Sequence, residues 1–401
     1  MRAISLFSGC GGFSEGVSLA GIEVAAAVEV DQYACMTYRA NFPTTPLFEG
    51  KVEDFLNDDS EVEQIEFDER GIDLVFGGPP CQGFSQIGPR DHSDQRNQLY
   101  KEFARVVKRV QPKFFLMENV PNLLLMGKGR FKKEIIEHFR GLGYSDVSFQ
   151  KVLAADFGVP QKRERVFFFG SRDDITLSKD LDSVVSKFLE FERASEHVTV
   201  WQAIGDLPAR VVDSGEVTDY PSLPNRAHKF LRSMRLDCTQ APYSKGRKRK
   251  RVFKRGQQPV LHNHHTKEMQ ARRRELISFL EPGAKADSLP KHIWNGARPE
   301  KWRRLDPDAP SYTILAQMHR DLSEWVHPKE QRWITVREAA RLQSFHDGFV
   351  FRGSEWQQLK QVGNAVPPLL AYAMAKAVLQ ASHEIVDECS DDFDCEKRQA
   401  A

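Results

Sequence analysis

The sequence lacks the usual marks of a secreted, membrane-spanning or metal-binding protein. Its six cysteines, at positions 10, 35, 81, 238, 389 and 395, form neither a paired framework nor the close spacing of metal ligands. The chain opens on a strand-like apolar segment without a leader, and no apolar stretch approaches the ~20 residues that a membrane helix needs. We therefore expect a cytoplasmic protein in a reducing compartment, with no metal site.

An excess of charge of one sign is also missing. The formal net charge is +1, from 57 basic and 56 acidic residues, so a nucleic-acid surface would have to be a local basic patch. The composition is that of a globular protein, with 40% hydrophobic and 28% charged residues. At 401 residues the chain is too long for one compact core, which predicts two domains.

The most informative segment begins with the apolar run Ile72–Phe76, which predicts a buried parallel strand. The residues Gly77-Gly78-Pro79-Pro80-Cys81 follow it directly, at the strand end where open α/β sheets carry their chemistry. Two prolines restrict the backbone, so the next side chain has a defined direction. Because a thiol is a strong nucleophile, we predict that Cys81 is catalytic rather than a small buried side chain.

A ligand site is indicated where the first predicted strand, residues 2–7, meets the glycine-rich turn Gly9–Gly12. Such a turn lets backbone N–H groups approach a ligand closely. Glu29 ends the next strand about 20 residues further on, the usual place for a carboxylate that holds ribose hydroxyls. The pattern alone is compatible with NAD, FAD, S-adenosylmethionine or no ligand. The third glycine of a dinucleotide motif is missing, and Glu15 would oppose a pyrophosphate, so the residues favour S-adenosylmethionine.

Two further segments supply polar groups. Glu118 follows an apolar run and should lie on the same sheet edge as Cys81, where apolar neighbours would help it to donate a proton near neutral pH. Gln161, Arg163 and Arg165 fall on one face of an extended segment. Three long polar side chains on one face suit a planar polar substrate or a structural clamp on the catalytic loop.

Together these segments resemble the DNA (cytosine-5)-methyltransferase family in its bacterial, restriction–modification form. The ordered matches are Phe7–Gly12, Gly78–Ser85, Glu118–Val120, Gln161–Arg165, Arg337–Phe345 and Gln361–Pro367. They cover roughly residues 1–175 and 300–380, with weak resemblance between them. The family implies an α/β fold: a discontinuous, Rossmann-like S-adenosylmethionine-dependent methyltransferase sheet with an inserted smaller target-recognition domain.

The resemblance also implies a role for each residue. In the catalytic group, Cys81 would add to ring carbon 6 of cytosine, Glu118 would protonate or hydrogen-bond ring nitrogen 3, Arg165 would hold the exocyclic oxygen, and Arg163 would brace the catalytic loop. The expected S-adenosylmethionine contacts are Phe7, Gly9, Gly11, Gly12, Glu29, Val30, Val52, Glu53, Pro79, Asn364 and Ala365. The Gly-Asp-Ile element of many members is replaced by Gly50-Lys51-Val52-Glu53-Asp54, which leaves the adenine contact open. The expected base and DNA contacts are Pro80, Gln82, Ser85, Gln161, Lys248, Arg249 and Arg251.

The predicted domains are a catalytic domain, residues 1–175 plus 305–383, and a target-recognition domain, residues 176–304. The basic run 245–255 predicts phosphate contacts that position the protein without reading sequence. The stretch His262–His265 lacks the spacing of a zinc site, and we expect it to be structural, as we do a pair between Arg337 and Glu338. Residues 384–401 read as a disordered acidic tail.

These observations predict a monomeric DNA cytosine-5 methyltransferase acting on duplex DNA, the protective half of a restriction–modification system whose endonuclease acts on the same site. One alternative is an RNA (tRNA) cytosine-5 methyltransferase of the same fold, which the long basic insertion disfavours. Another is a catalytically silent DNA-binding scaffold, which the presence of Cys81, Glu118 and Arg165 disfavours. A nicotinamide-dependent oxidoreductase would leave Cys81 and the segment 361–367 unexplained.

Overall fold

The computed structural model describes residues 1–55, 71–80, 99–209, 211, 227–235, 260–296, 298–299, 302–319 and 325–386. Its strands are β1 (Arg2–Leu6), β2 (Glu23–Glu29), β3 (Leu47–Glu49), β4 (Leu74–Gly77), β5 (Phe114–Asn119), β6 (Asp146–Leu153) and β7 (Glu164–Ser171). Its helices are α1 (Gly12–Leu19), α2 (Gln32–Asn41), α3 (Leu99–Val110), α4 (Arg130–Arg140), α5 (Leu181–Glu192), α6 (Val200–Ile204), α7 (Lys229–Met234), α8 (Ala271–Ser278), α9 (Val336–Leu342), α10 (Glu355–Asn364) and α11 (Pro368–His383).

The strands form one seven-stranded sheet in the order β3-β2-β1-β4-β5-β7-β6. The pairings from β3 through β5 are parallel, whereas β7 runs antiparallel to both β5 and β6. All four residues of β4 are buried, as expected for an interior parallel strand covered on both faces. The apolar run 72–76 is therefore confirmed as a buried parallel strand, and the predicted α/β sheet is confirmed with it.

Helices cover both faces of the sheet. On one face, α1, α5 and α11 share a core with Phe76 and Phe167, while α3 and α4 pack with Phe115 and Phe168 on the other face. The apolar residues of α3 recur at helical spacing and are buried on one side, which explains why this segment forms a surface helix. The strands of an open sheet thus receive the two-sided cover that keeps their apolar residues from water.

The close approach of α1 and α11 depends on one glycine. A Cβ atom built on Gly16 would lie 2.4 Å from the Cβ of Ala371 and from the carbonyl oxygen of Pro368. No side chain fits there, so the glycine allows the two helix backbones to meet. The contact of α11 with α1 returns the end of the chain to the core that contains Ala3 of β1.

A third hydrophobic core lies beside the sheet and contains α6, α7 and the segments 305–318 and 325–334 together with α9 and α10. The helix α5 belongs elsewhere: Leu181 and Val185 are buried in the sheet core, and Asp182 accepts hydrogen bonds from Ser148 and Gln150 of β6. The helix α5, which lies inside the predicted target-recognition domain, therefore packs on the sheet. The division into two domains stays a prediction.

The end of α11 corrects two expectations. Residues 384–386 are ordered rather than part of a disordered tail, since Ile385 forms a β-bridge with Leu177 and the Val386 N–H donates to the carbonyl of Thr176. The rest of the tail lies outside the described residues. Among the described residues, Glu355–His383 is long and apolar enough to cross a membrane, contrary to expectation, but 67% of its apolar window is buried inside the protein. We assign this stretch to the core.

Candidate active site at the carboxyl edge of the sheet

The carboxyl ends of the parallel strands bring the predicted site residues to one edge. Phe7 follows β1, Glu29 ends β2, Pro79 follows β4, and Glu118 lies near the end of β5. This edge is where open α/β sheets bind ligands. Cys81, Gln82 and Ser85 lie outside the described residues, as do Lys248, Arg249 and Arg251 of the basic run. Their predicted roles stay predictions.

Glu118 and Arg165 form an ion pair at this edge. The guanidinium Nε of Arg165 lies 2.7 Å from Oε1 of Glu118, and each side chain is 13% exposed. Burial lowers the pKa of Arg165 from its usual value, and the Glu118 carboxylate opposes this effect. The prediction of apolar neighbours for Glu118 omits its charged partner, because Arg165 of β7, the strand antiparallel to β5, also lies beside the carboxylate. The pair can present an anionic acceptor and a cationic donor together.

The turn that leads toward Cys81 is held against the same carboxylate. A Cβ built on Gly78 would lie 2.8 Å from Oε2 of Glu118, so only a glycine leaves that oxygen its space. The side-chain amide of Asn119 donates to the Pro79 carbonyl at 3.2 Å. These contacts hold the start of the loop beside Glu118. Pro79 is buried, whereas Pro80 is exposed.

Arg163 is a brace built into the interior. Its guanidinium donates to the carbonyl oxygens of Ile314 at 2.8 Å, Gly363 at 3.2 Å and Ala365 at 3.1 Å. Burial, reinforced by the nearby charge of Arg165, holds the pKa of Arg163 well below its ordinary value. Arg163 thus connects the strand that carries Arg165 with two distant segments, and it stands behind the site instead of facing a substrate.

Gln161 does not face a substrate either, which corrects its assignment as a base or DNA contact. Its side chain is fully buried, and its amide nitrogen donates to the Leu342 carbonyl and to the side chain of Gln343. Its amide oxygen accepts from the Ile314 N–H at 2.8 Å. Every polar atom of this amide is therefore used inside the protein. The alternative of a structural clamp fits this side chain.

The glycine-rich turn has the backbone shape that its sequence predicts. Gly9 and Gly11 have φ angles of 56° and 102°, in the left-handed region that favours glycine, and Phe7 also has a positive φ of 51°. A Cβ on Gly11 would lie 2.3 Å from the Phe42 ring, and one on Gly12 would lie 2.5 Å from the Val366 carbonyl. At Gly9 the described residues leave a Cβ position with no atom within 4 Å. The turn is thus close-packed at Gly11 and Gly12 and open at Gly9.

Glu29 is held by backbone donors. Its Oε2 accepts from the Gly9 N–H at 2.7 Å, and its Oε1 accepts from the N–H groups of Val30 at 2.9 Å and Asp31 at 2.8 Å. Burial raises the pKa of Glu29 above its ordinary value, and the three backbone hydrogen bonds oppose this rise. The carboxylate has a fixed orientation at the strand end, and its unused lone pairs are available to hydroxyl donors.

The other predicted cofactor residues differ in exposure. Val30 is 62% exposed beside Glu29, which places an apolar surface next to a carboxylate. Val52 is buried, Asn364 is exposed and Ala365 is half-buried. Glu53 is half-buried, and Asp54 is exposed. An apolar surface beside a hydroxyl acceptor fits a nucleoside, so the residues present fit the cofactor that the sequence favours.

Glu15 is not placed where its predicted effect on a pyrophosphate would need it. Glu15 is buried on α1, and its Oε1 lies 3.1 Å from Nε2 of His346, in the turn after α9. Because the carboxylate is buried beside His346, it does not decide the charge of a ligand at the glycine-rich turn. The choice among cofactors then depends on the missing third glycine and on the family.

The chain matches the family described as C-5 cytosine-specific DNA methylase over residues 1–380. It belongs to this family. Type II methyltransferase M1.HphI of Haemophilus parahaemolyticus is 37% identical over 387 residues, which cover 94% of this chain and 86% of that protein. Type II methyltransferase M.DdeI of Desulfomicrobium norvegicum is 37% identical over 399 residues, covering 94% and 88%.

Solved structures agree with this assignment. An Escherichia coli prophage protein described as a DNA modification methyltransferase superposes with a TM-score of 0.71 at 28% identity, covering 96% of this chain and all of that one. The Dnmt2 methyltransferase of Schizosaccharomyces pombe gives a TM-score of 0.54 at 15% identity, covering 94% and 98%, which shows the shared fold alone. The predicted family, fold class and DNA methyltransferase activity are thereby confirmed. Members of the C-5 cytosine methylase family are generally dependent on S-adenosylmethionine.

Two further residues, Asn119 and Gln343, were not predicted from the sequence as parts of the site. Asn119 ties β5 to the Pro79 carbonyl. Gln343 donates to the carbonyls of Val362 at 2.8 Å and Ala365 at 3.1 Å, and so supports the same segment as Arg163. Both stand within matched family motifs, but only the folded chain shows which backbone atoms they hold.

Arg337 and Glu338, which we expected to pair with each other, have other partners in the structure. Glu338 forms a two-pronged ion pair with Arg332, at 2.7 and 2.8 Å, and Arg337 donates to backbone carbonyls that include those of His346 and Phe349. In the stretch His262–His265, the His264 ring lies 2.7 Å from the Pro208 carbonyl and 3.2 Å from the Thr335 hydroxyl. These contacts join the insertion to α9.

Proposed function

We propose that this chain uses Cys81, Glu118 and Arg165 to methylate carbon 5 of a cytosine flipped out of duplex DNA. The observation that carries the proposal is the Glu118–Arg165 pair, 2.7 Å apart at the carboxyl edge of the sheet and in contact with the Gly78–Pro79 turn. That turn leads within two residues to Cys81. A carboxyl group and a guanidinium at one point suit a planar ring with a nitrogen and an adjacent exocyclic oxygen.

The first step needs a nucleophile because carbon 5 of cytosine is itself a poor one. The Cys81 thiolate forms a bond to ring carbon 6, and the ring electrons shift toward carbon 5. A free thiol with a pKa near ~8.5 is only a few per cent thiolate at neutral pH, so surrounding groups must favour the thiolate. Glu118, which must carry a proton while the base is bound, delivers that proton or a hydrogen bond to ring nitrogen 3 and takes it back when the sulfur leaves. Arg165 binds the exocyclic oxygen, so that charge leaves the ring as the thiolate adds.

The bound cofactor supplies an electrophilic methyl group. Glu29 would hold its ribose hydroxyls, Val30 would face its adenine, and the Gly9–Gly12 turn would admit its chain. Asn364 and Ala365 would line the same pocket. After carbon 5 has been methylated, a base removes the proton from carbon 5. The electrons of that bond restore the ring double bond as the Cys81 sulfur leaves carbon 6 as a thiolate. Arg163 keeps the strand of Arg165 in place throughout.

A stacked base cannot reach this edge, so the cytosine must be flipped out at a cost of a few kcal/mol. Pro80, Gln82 and Ser85 would contact the extruded base and its backbone, and Lys248, Arg249 and Arg251 would neutralise phosphates. We further propose that the enzyme is a monomer, acts in the cytoplasm and protects the site of a cognate restriction endonuclease without forming a stable complex with it.

The test is bisulfite sequencing of plasmid DNA from a methylation-free host that expresses the wild type or Cys81→Ala. We expect every copy of one short motif to be protected in the wild type and none in the variant. DNA binding should survive in Cys81→Ala, because the substitution removes the nucleophile and leaves the pocket. Protection in the variant would eliminate Cys81 as the nucleophile.

If the wild type protects no cytosine, the DNA substrate is wrong, and transfer RNA is the next substrate to assay. If neither nucleic acid is methylated while duplex DNA still binds, the silent scaffold replaces the enzyme. Each alternative thus gives its own combination of binding and methylation results.

A further inference from the structure

One charged side chain of helix α10 contacts the loop that follows Glu29 at the carboxyl edge of the sheet. Lys360 Nζ lies 2.9 Å from Oδ2 of Asp31, with 34% and 32% of the two side chains exposed. Lys360 stands four residues, about one helical turn, before Asn364 on the same helix. The charge pair therefore joins the helix that carries Asn364 to the loop that follows Glu29.

Asp31 has three structural connections in this loop. Its backbone N–H donates to Oε1 of Glu29 at 2.8 Å, which helps to orient the carboxylate. Its Oδ1 accepts from the N–H groups of Tyr33 at 3.0 Å and Ala34 at 3.2 Å, which caps the start of α2. Its Oδ2 accepts from Lys360. One aspartate thus fixes the direction of Glu29, the start of α2 and the distance to α10.

The charges explain why a lysine is needed there. Glu29 and Asp31 are two carboxylates separated by one residue, and the charge of Asp31 disfavours ionisation of Glu29. Burial also opposes the charge of Asp31, but the Lys360 hydrogen bond and the N–H groups of α2 lower the pKa of Asp31 below its ordinary value. Lys360 therefore offsets the charge of Asp31 and holds in place the residue whose N–H donates to Glu29.

A second contact ties α10 to the same edge. The Cys10 thiol, in the glycine-rich turn, lies 3.8 Å from the Gln361 carbonyl, and the Gln361 amide donates to the Arg352 carbonyl at 3.0 Å. The Arg352 N–H donates in turn to the Thr37 hydroxyl of α2 at 2.8 Å. Loss of the Lys360 charge would thus remove the electrostatic link while these hydrogen bonds persist.

We propose that Lys360 is a positioning residue for cofactor binding, which acts through Asp31 on the carboxylate of Glu29. This proposal rests on the proposed function, since it assigns the Glu29 site to S-adenosylmethionine. It predicts that affinity for the cofactor, rather than affinity for DNA or the chemical step, depends on Lys360. Because the pair is partly exposed, the effect is modest, at about threefold to fivefold in the dissociation constant at low salt.

The experiment is isothermal titration of the full-length protein with S-adenosylhomocysteine, which reports binding without turnover, at 20 and 500 mM sodium chloride. The variants are Lys360→Met, Lys360→Arg, Asp31→Asn and the double variant Asp31→Asn with Lys360→Met. The asparagine retains a capping group for α2 while it removes the charge. The control is Lys113→Met, which removes a partly exposed pair, Lys113–Asp73 at 3.1 Å, at the opposite edge of the sheet.

We expect Lys360→Met and Asp31→Asn each to weaken binding at low salt, and the double variant to be no weaker than either. Lys360→Arg should restore most of the affinity, Lys113→Met should bind as the wild type does, and the difference between wild type and Lys360→Met should shrink at 500 mM salt. In turnover assays KM for S-adenosylmethionine should rise, with kcat and KM for DNA unchanged.

Wild-type affinity in Lys360→Met would overturn the proposal and leave the proposed function standing. Additive losses in the double variant would also overturn it, because the two residues would then act separately. A wild-type protein that binds neither S-adenosylhomocysteine nor S-adenosylmethionine would instead refute the assignment of the site. The circular dichroism melting curve of each variant separates loss of binding from loss of folding.

Discussion

Two carboxylates at the same edge of one sheet are held in opposite ways. Glu29, the last residue of β2, accepts three backbone N–H groups from residues within its own loop and the adjacent turn. Glu118, in β5, has the side chain of Arg165 as its charged partner. Backbone donors have a fixed position, whereas a guanidinium on a long side chain can exchange partners. The first arrangement suits a group that binds the same ligand in every cycle, and the second suits a group whose contacts change during reaction.

Of substitutions at the two carboxylates, Glu118→Gln should have the larger effect on methyl transfer. The amide cannot deliver a proton to ring nitrogen 3, and it leaves the buried Arg165 without its counter-charge. We expect the single-turnover rate to fall by about 10²- to 10³-fold, within the range of general acid–base contributions. Rapid-quench measurement at saturating DNA and cofactor isolates this step.

Glu118→Asp is the matched variant for this test. It retains the charge but shortens the reach to Arg165. Its single-turnover rate should lie between those of the wild type and Glu118→Gln. A wild-type rate in Glu118→Gln would remove the acid role and with it the contrast between the two carboxylates.

Glu29→Gln should affect binding instead of chemistry. A glutamine has one acceptor oxygen, so its NH₂ group would face either the Gly9 N–H or the N–H groups of Val30 and Asp31. We expect KM for S-adenosylmethionine to rise by about tenfold, as for loss of one hydrogen bond to a charged group, with kcat little changed. Titration with S-adenosylhomocysteine checks the same change without turnover.

Glu49→Gln provides the control, since this carboxylate ends β3 in an exposed pair with Arg39. Glu49→Gln should leave KM for S-adenosylmethionine and kcat unchanged. A fall in kcat without a rise in KM for Glu29→Gln would mean that the two carboxylates share a function.

The contrast also explains what the sequence could and could not predict. The apolar runs before Gly77 and Glu118 are local signals, and both are strands of the observed sheet. The direction of β7 depends on pairing between distant segments, so the partner of Glu118 could not be foreseen from its apolar neighbours in the chain. The same limit applies to Gln161. Its alternate spacing with Arg163 and Arg165 predicts a shared face, but it does not predict which residues bury its side chain.

Long-range contacts account for the other corrections. The ordered residues 384–386 depend on a bridge to Leu177, and the burial of Glu15 depends on His346 in a turn more than three hundred residues later. By contrast, the positive φ angles at Gly9 and Gly11 were readable because only glycine adopts them without strain. Local backbone chemistry is visible in a sequence, whereas the partner of a buried charge is decided by the assembled core.

A third carboxylate, Glu338, sharpens the comparison because it should affect stability and leave methyl transfer at neutral pH unchanged. Although burial opposes its charge, Arg332 lowers the pKa of Glu338 to about 2, against an ordinary value of 4.5. A folded-state pKa below the unfolded value means that the stabilisation is complete above about pH 4.5 and is lost as the pH falls toward 2. Glu338→Gln preserves the capping pattern with Thr335 but removes the ion pair.

We expect the free energy of unfolding of Glu338→Gln to fall by about 3 kcal/mol at pH 7, as for a broken buried pair, with less difference from wild type at pH 4. Urea unfolding at the two pH values measures both. Glu134→Gln removes a carboxylate that accepts a hydrogen bond from Tyr100 and has no buried arginine as an ion-pair partner among the described residues, and it should cost less stability at pH 7. An equal loss at both pH values for Glu338→Gln would mean that the carboxylate stabilises the fold through shape rather than charge, and a fall in kcat would place Glu338 with Glu118 instead of apart from it.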